Sequence, residues 1–199
     1  HPQANISNKL VQRNFQLSTF NVQRDTPNRL DYNPQALVMS KKTALITGAS
    51  RGIGRELTLL FARDGYDVVL VARGLEELQE LAVLVEKECG AGATVIARDL
   101  AEPESAEFLY QEVQERNITV DVLVNNAGFG ALGRLTDMDP STTFEMLQLN
   151  IVTLTQLTRY FLEAIEERSG GKILNVASTA AFQSGPLMAV YYASKAYVL

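Results

Sequence analysis

Tyr191 and Lys195, near the end of the chain, are the two residues whose types and spacing best suit proton transfer. Four positions apart, they project from the same side of a helix. A phenol can donate or accept a proton, and a nearby ammonium group stabilises its ionised form. Tyr192 has Ala196 four positions later and so lacks such a partner. The pair by itself is a weak signal, because a surface tyrosine packed on a lysine side chain has the same spacing.

Two residue counts limit the other chemistries that this chain can perform. Its single histidine is His1, so Ser-His-Asp hydrolysis, Cys-His proteolysis and histidine-based zinc sites are nearly excluded, and no metal is expected. Its single cysteine, Cys89, excludes an internal disulfide and any Cys-x-x-Cys site. This fits a reducing compartment, and we predict a cytoplasmic location. Proton chemistry must therefore come from tyrosine, lysine, serine or acidic side chains.

A glycine-rich stretch, TGASRGIG at 47–54, follows a short apolar run and precedes a helical pattern. Gly48 can turn the chain sharply, and Gly52 and Gly54 leave room for a pyrophosphate to approach the backbone at a helix N-terminus. The spacing differs from the commonest dinucleotide fingerprint, and no Lys-Ser/Thr follows as it does in a nucleoside triphosphate loop. A turn that merely packs a helix against a strand is the alternative interpretation.

The end of the second predicted strand favours NADP(H) over NAD. In dinucleotide-binding folds an acid near this position binds the ribose 2′-hydroxyl of NAD, whereas an arginine accommodates the 2′-phosphate of NADP. Here the strand ends in Ala72 and Arg73, and Arg51 of the glycine stretch could reach the same phosphate. A guanidinium pairs well with such a dianion. Glu76 and Glu77 come a turn later and are interpreted as solvated helix surface.

Apolar runs alternate with helical patterns from Lys42 onward. Continuous apolar strands separated by amphipathic helices are typical of a parallel sheet covered on both faces. The predicted strands are 43–47, 67–72, 94–100, 120–126 and 172–178, and the predicted helices are 52–64, 75–88, 105–116 and 140–167. The sequence therefore predicts one doubly wound α/β domain over residues 39–199.

Residues 1–38 differ in composition from the rest of the chain. They contain 11 Asn and Gln residues and carry a charge of +2 (4 Lys and Arg, 2 acids), which leaves −7 for residues 39–199. No hydrophobic period persists there, so we predict a disordered or non-domain extension. Met39, followed by SKKTALITG, resembles a translational start. An organellar targeting peptide is a weaker alternative, because serine is sparse.

The overall composition is that of a soluble globular protein, with 199 residues of which 46% are hydrophobic and 21% charged. A net charge of −5 and a pI near 5.0 argue against nucleic acid as a partner. No apolar run approaches the roughly 18 residues that a membrane span needs. The expected partner is therefore a small molecule.

Three further features stand in a familiar order with the glycine stretch and the tyrosine–lysine pair. NNAG at 125–128 ends the fourth predicted strand, Asn150 lies in the long helix, and Ser178 precedes Tyr191 by 13 positions. From Lys42 to the last residue, this order and spacing resemble the short-chain dehydrogenase/reductase family. Its members carry T-G-x-x-x-G-x-G, then N-N-A-G, then a serine before Y-x-x-x-K.

The resemblance implies a Rossmann-type doubly wound sheet and hydride transfer between NADP(H) and a carbonyl or secondary alcohol. It implies that Tyr191 is the general acid/base and that Ser178 holds the substrate oxygen. Lys195 would bind the nicotinamide ribose and stabilise the phenolate, and Asn150 would help to relay protons through water. Residues 125–128 would line the adenosine side of the cleft. The expected cofactor-binding residues are Gly48, Ser50, Arg51, Gly52, Ile53, Gly54, Arg73, Asp99, Leu100, Asn126, Ala127, Gly128, Tyr191 and Lys195.

Family members usually continue beyond the lysine helix, so we expect this chain to lack a C-terminal part of the reductase. The last helix should then be short and frayed, and KILNVA at 172–177 should be an open sheet edge. The loop 128–140, with Arg134, is expected to line one wall of a substrate pocket whose substrate stays open. A homodimer or homotetramer is the expected assembly of the full-length protein. A non-catalytic NADP(H)-binding or interaction protein, an inactive fragment, and an epimerase or dehydratase are the alternatives.

Overall fold

The computed structural model describes residues 17–21, 41–168 and 170–199. In this part of the chain six strands form one sheet in the order β1-β6-β5-β2-β3-β4. The strands are β1 (Leu17–Asn21), β2 (Thr43–Thr47), β3 (Asp67–Ala72), β4 (Ala93–Ala97), β5 (Val122–Asn125) and β6 (Lys172–Val176). Strands β2 to β6 pair in parallel, whereas β1 pairs antiparallel with β6.

Helices cover both faces of the sheet. They are α1 (Gly52–Arg63), α2 (Leu75–Cys89), α3 (Ser105–Glu115), α4 (Pro140–Leu147), α5 (Leu154–Glu167) and α6 (Ala189–Val198). Side chains alternate along each strand, so Ala44 and Ile46 of β2 face α1 and α2, whereas Leu45 faces α3 and α5. Each face buries its own apolar cluster. The predicted doubly wound α/β fold is confirmed.

The strand order reverses between β2 and β5. From β2 the chain moves outward through β3 to β4, and it then returns to β5 and β6 on the other side of β2. At such a point the loops after the two central strands diverge and leave a crevice at the carboxyl edge of the sheet, where open α/β sheets bind ligands. The residues after β2 and β5 are the glycine stretch and NNAG.

The long helix predicted over 140–167 is divided into three segments. Asp139 accepts a hydrogen bond from the Ser141 backbone N–H (3.3 Å) at the start of α4, and a π-helical segment, Gln148–Thr153, separates α4 from α5. Thr153 in this segment donates to the Leu100 carbonyl oxygen at 2.8 Å. Wider helical turns of this kind are rare and concentrate at functional sites. The apolar pattern continues through the segment, which is why one continuous helix was predicted.

The expectation that KILNVA at 172–177 is an open sheet edge is wrong. The outer edge of β6 is not open, because Leu17–Asn21 pairs along its whole length, with Leu17 opposite Val176. The rest of the predicted extension over 1–38 lies outside the described residues. The last helix, α6, runs for ten residues and ends at Val198. Among the helices described, none combines the length and the apolar character that a membrane crossing requires.

Candidate active site

A cleft of about 790 Å³ opens at the carboxyl edge of the sheet, beside the point where the strand order reverses. Most of the residues that the sequence predicted for the site meet there. These are Gly48, Ser50, Arg51, Ile53, Arg73, Asp99, Leu100, Asn126, Ala127, Gly128, Tyr191 and Lys195. Gly52, Gly54, Asn150 and Ser178 lie outside its lining. The lining thus includes residues of the glycine stretch as well as the tyrosine–lysine pair.

The glycine stretch closes tightly on the loop after β5. Gly48 has φ +66°, and a Cβ atom there would lie 2.8 Å from Asn126 Nδ2 and 3.0 Å from Ala127 Cα. Glycine is therefore required both by its backbone conformation and by the close approach of the second loop. Gly54 has a different role from the one predicted. A Cβ there would lie 2.1 Å from the Gly48 carbonyl oxygen, so its space is filled by the loop itself rather than left for a pyrophosphate.

Thr47, which sequence reasoning missed as a site residue, ties the two loops together. Its hydroxyl oxygen accepts from the backbone N–H groups of Asn126 and Ala127, both at 3.0 Å, and donates to the Val124 carbonyl oxygen at 3.1 Å. The Asn126 side chain in turn donates to the carbonyl oxygens of Thr47 and Gly48. The sequence signal was its place at the start of T-G-x-x-x-G-x-G, which by itself assigns no contact to the threonine. This network fixes the shape of the cleft floor.

The N-terminus of α1 faces the cleft without a protein cap. Arg51, at the N-cap position, makes no side-chain capping hydrogen bond, and the first turn of α1 carries no acid. Its free N–H groups and the positive end of the helix dipole favour an anion. Ser50, Arg51 and Ile53 of this turn line the cleft.

Two arginines at the rim of the cleft each have an acidic partner. Arg51 Nη2 lies 3.4 Å from Glu77 Oε1, and Arg73 Nη1 lies 3.7 Å from Asp99 Oδ2. The arginine side chains are 82% and 78% exposed, so these pairs are screened and weak. Glu76 and Glu77 are both exposed in the first turn of α2, as predicted, and Glu77 in addition pairs with Arg51.

Tyr191 and Lys195, on α6, form another wall of the cleft. The Tyr191 ring lies against Gly130, where a Cβ would be 2.9 Å from the ring. Lys195 is 6% exposed, its Nζ donates to the Val176 carbonyl oxygen at 3.0 Å, and it lies 6.0 Å from the Tyr191 ring centroid. Burial lowers the pKa of the Lys195 ammonium group from its ordinary 10.5. The ammonium is thus held at a fixed place beside the phenol.

Asn150 lies behind this wall and connects it to the loop after β5. Its side chain accepts from the Phe129 N–H (3.1 Å) and donates to the Phe129 carbonyl oxygen (2.9 Å) and to Ser194 Oγ (3.0 Å). Ser194, also missed by sequence reasoning, is fully buried and donates to the Tyr191 carbonyl oxygen at 2.7 Å. The π-helical segment thus joins the cleft loop to α6. Gly128 lies close to this side chain, because a Cβ there would be 3.0 Å from Asn150 Oδ1.

Ser178 and Asn125 lie outside the cleft lining, and both make hydrogen bonds within the protein. The Ser178 hydroxyl accepts from the Ala180 N–H at 3.1 Å and starts a short 3₁₀ turn, and the cleft lining reaches its neighbour Ala177. Asn125, expected on the adenosine side, is buried and donates to Thr158 and Asn175 at 2.9 Å. It therefore joins β5 to its neighbours instead of lining the cleft.

Comparison with known proteins places these observations in context. A family model described as short chain dehydrogenase matches residues 42–199. The 17-beta-hydroxysteroid dehydrogenase type 3 of Mus musculus is 35% identical over 164 residues, which cover 78% of this chain and 51% of that protein. The very-long-chain 3-oxoacyl-CoA reductase of Anas platyrhynchos is 33% identical over 162 residues, covering 78% and 51%. The chain spans about half the length of these curated relatives.

Among solved structures, a short-chain dehydrogenase from Sphingobium yanoikuyae in complex with NADPH superposes with a TM-score of 0.73. It is 32% identical in sequence, and the match covers 79% of this chain and 61% of that one.

Proposed function

The chain belongs to the short-chain dehydrogenase/reductase family, and on that premise we propose that it carries the cofactor cleft and catalytic residues of an oxidoreductase. The reaction is hydride transfer between NADP(H) and a carbonyl or secondary alcohol. The observation that carries this proposal is the pairing of Tyr191 with a buried Lys195 on the wall of a cleft whose floor is the glycine stretch.

The residues of the cleft fit a dinucleotide that bears an extra phosphate. The uncapped N-terminus of α1 and the turn at Gly48 suit a pyrophosphate. Arg51 and Arg73 at the rim suit the 2′-phosphate. We assign Asp99 and Leu100, which follow β4 and line the cleft, to the adenine, and Lys195 to the nicotinamide ribose. NADP(H), when bound, supplies the hydride or accepts it.

Proton transfer is assigned to this chain's own residues. Tyr191 donates its hydroxyl proton to the carbonyl oxygen during reduction and accepts it back during oxidation. Lys195 stabilises the phenolate by its positive charge. Ser178 donates a hydrogen bond to the same substrate oxygen, which requires the hydroxyl to accept from Ala180 while it donates to the substrate.

Asn150 is assigned a positioning role. Its amide group is engaged with Phe129 and Ser194, so it holds the loop after β5 against α6 and fixes the distance between the cleft floor and Tyr191. We also propose that Asn150 takes part in a proton relay beyond Lys195, which is the role that the family resemblance implies for it.

Arg73 should determine the preference for NADPH over NADH. Replacement of Arg73 by alanine should weaken NADPH binding about tenfold and change NADH binding less than about twofold, because one charge-assisted pair to the 2′-phosphate is lost. Calorimetric titration with NADPH and with NADH measures the two dissociation constants. Arg63→Ala, an exposed arginine at the far end of α1, is the matched control. An equal effect of Arg73→Ala on NADPH and NADH, or a wild type without NADPH preference, would contradict the cofactor assignment.

A further inference from the structure

Glu77 contacts Arg51, one of the two arginines that are expected to bind the 2′-phosphate. It belongs to the first turn of α2, and its carboxylate folds back over Gly74 so closely that a Cβ on that glycine would lie 2.0 Å from Glu77 Oε2. The other carboxylate oxygen faces Arg51 Nη2 at 3.4 Å. Gly74 and Arg51 both line the cleft. An acid from α2 therefore reaches across the tip of β3 to the cleft rim.

The Glu77 carboxylate is held more loosely than the other acid at this rim. In the described part of the chain, Arg51 is its one hydrogen-bond partner, and its side chain is 46% exposed. Asp99, in contrast, is also anchored by the Ala101 N–H at 2.9 Å. Glu77 can therefore leave Arg51 by a side-chain rotation, without a change in the backbone.

We propose that Glu77 is a built-in counter-ion that competes with the 2′-phosphate for Arg51 and thereby sets how strongly the cleft prefers NADPH to NADH. This inference rests on the proposed cofactor, and it deepens that assignment by naming a residue that opposes it. NADPH binding requires the carboxylate to leave Arg51, because a phosphate dianion and a carboxylate repel each other at contact distance. NADH lacks the phosphate and leaves the Arg51–Glu77 pair in place.

The charge balance at the rim supports such a competition. Arg51 and Arg73 bring two positive charges, and Glu77 and Asp99 bring two negative charges, so the four side chains together are neutral before the phosphate arrives. Removal of the charge at Glu77 leaves Arg51 free and the rim positive. Since the Arg51–Glu77 pair is exposed, the expected gain in NADPH affinity is modest and depends on the salt concentration.

The test is Glu77→Gln with Glu76→Gln as the matched control. Glu76 is the neighbouring exposed acid in the same helical turn, so the two variants have equal net charge and equal helix-dipole changes. Calorimetric titration should show NADPH binding about threefold to tenfold tighter in Glu77→Gln than in Glu76→Gln at low salt, with NADH binding the same within about 1.5-fold. The difference should shrink at high salt.

The possible outcomes separate this inference from the cofactor assignment. If Arg51→Ala weakens NADPH binding but Glu77→Gln matches Glu76→Gln, the competing role of Glu77 is overturned and the cofactor assignment stands. If Glu77→Gln weakens NADH binding, Glu77 is a ribose ligand and the competing role is likewise overturned. If the wild type binds neither nucleotide, the proposed function fails and this inference fails with it.

Discussion

Replacement of Tyr191 by phenylalanine in the full-length protein should lower kcat for carbonyl reduction by about 10²- to 10⁴-fold, the usual contribution of a positioned general acid. NADPH affinity should change less than about twofold, because the phenyl ring keeps its place against Gly130. Only the hydroxyl that delivers the proton is removed. Steady-state kinetics with a reducible ketone, together with calorimetric titration of NADPH, measure the two quantities independently.

Tyr192→Phe is the matched control for this prediction. Tyr192 is adjacent in sequence, but its ring packs on Gly185, where a Cβ would lie 2.4 Å from the ring, and its centroid is 6.2 Å from that of Tyr191. No catalytic step is proposed for the Tyr192 hydroxyl group, so kcat of this variant should stay within about twofold of the wild type. Near-wild-type turnover by Tyr191→Phe, or an equal loss in both variants, would remove Tyr191 from its role as the acid.

Gly54→Ala should both destabilise the fold and weaken NADPH binding. The added methyl group would lie 2.1 Å from the Gly48 carbonyl oxygen and 2.5 Å from Asn126 Nδ2, and backbone cannot move aside as a flexible side chain can. We expect the free energy of unfolding to fall by about 2–3 kcal/mol, as for other overpacked sites. The glycine turn must shift to relieve the contact, so NADPH affinity should fall at least about tenfold.

Gly170→Ala is the control for the loss of a glycine. Among the described residues no heavy atom lies within 4 Å of a Cβ at Gly170, and its φ is not positive. Its stability and NADPH affinity should stay close to those of the wild type. Denaturant unfolding and nucleotide titration of both variants check the pair. A Gly54→Ala protein with wild-type stability and affinity would show that helix α1 does not need this close contact.

The sequence predicts those parts of the molecule that depend on local pattern. Alternating apolar runs and helical patterns identify β2 to β6 and the helices, because burial on both faces leaves a continuous apolar signature. Tyr191 and Lys195 could be found because their spacing of four places them on one side of a helix and because Ser178 and the glycine stretch stand at the expected distances from them. The glycine stretch could be found because few chains need three glycines where a strand leads into the first turn of a helix.

The features that sequence could not predict depend on contacts between distant segments. The hydrogen bonds of Thr47 and Ser194 could not be predicted, because they form only when β5 and the π-helical segment are packed beside these residues. The break in the long helix has the same origin, because Asn150 and Thr153 bond to partners outside it. The pairing of Leu17–Asn21 with β6 brings together segments more than 150 positions apart, with no periodic signal in the first of them.

Glu77 illustrates the limit for charged residues. In sequence it is one of several acids on the polar side of α2, and its position one turn after Arg73 favours solvent exposure. Its contact with Arg51 depends on how α2 leaves the tip of β3 and on the absence of a side chain at Gly74. Neither of these is encoded by local periodicity.

The proposed reductase activity can be tested by the stoichiometry between NADPH consumed and alcohol formed when the full-length protein is incubated with a panel of ketones. Tyr191→Phe supplies the baseline for non-enzymatic oxidation. We expect at least one ketone to yield one alcohol for each NADPH consumed, at a rate well above that baseline. NADPH that binds firmly while no ketone is reduced faster than the baseline would contradict this proposal and would identify a binding protein on the same fold.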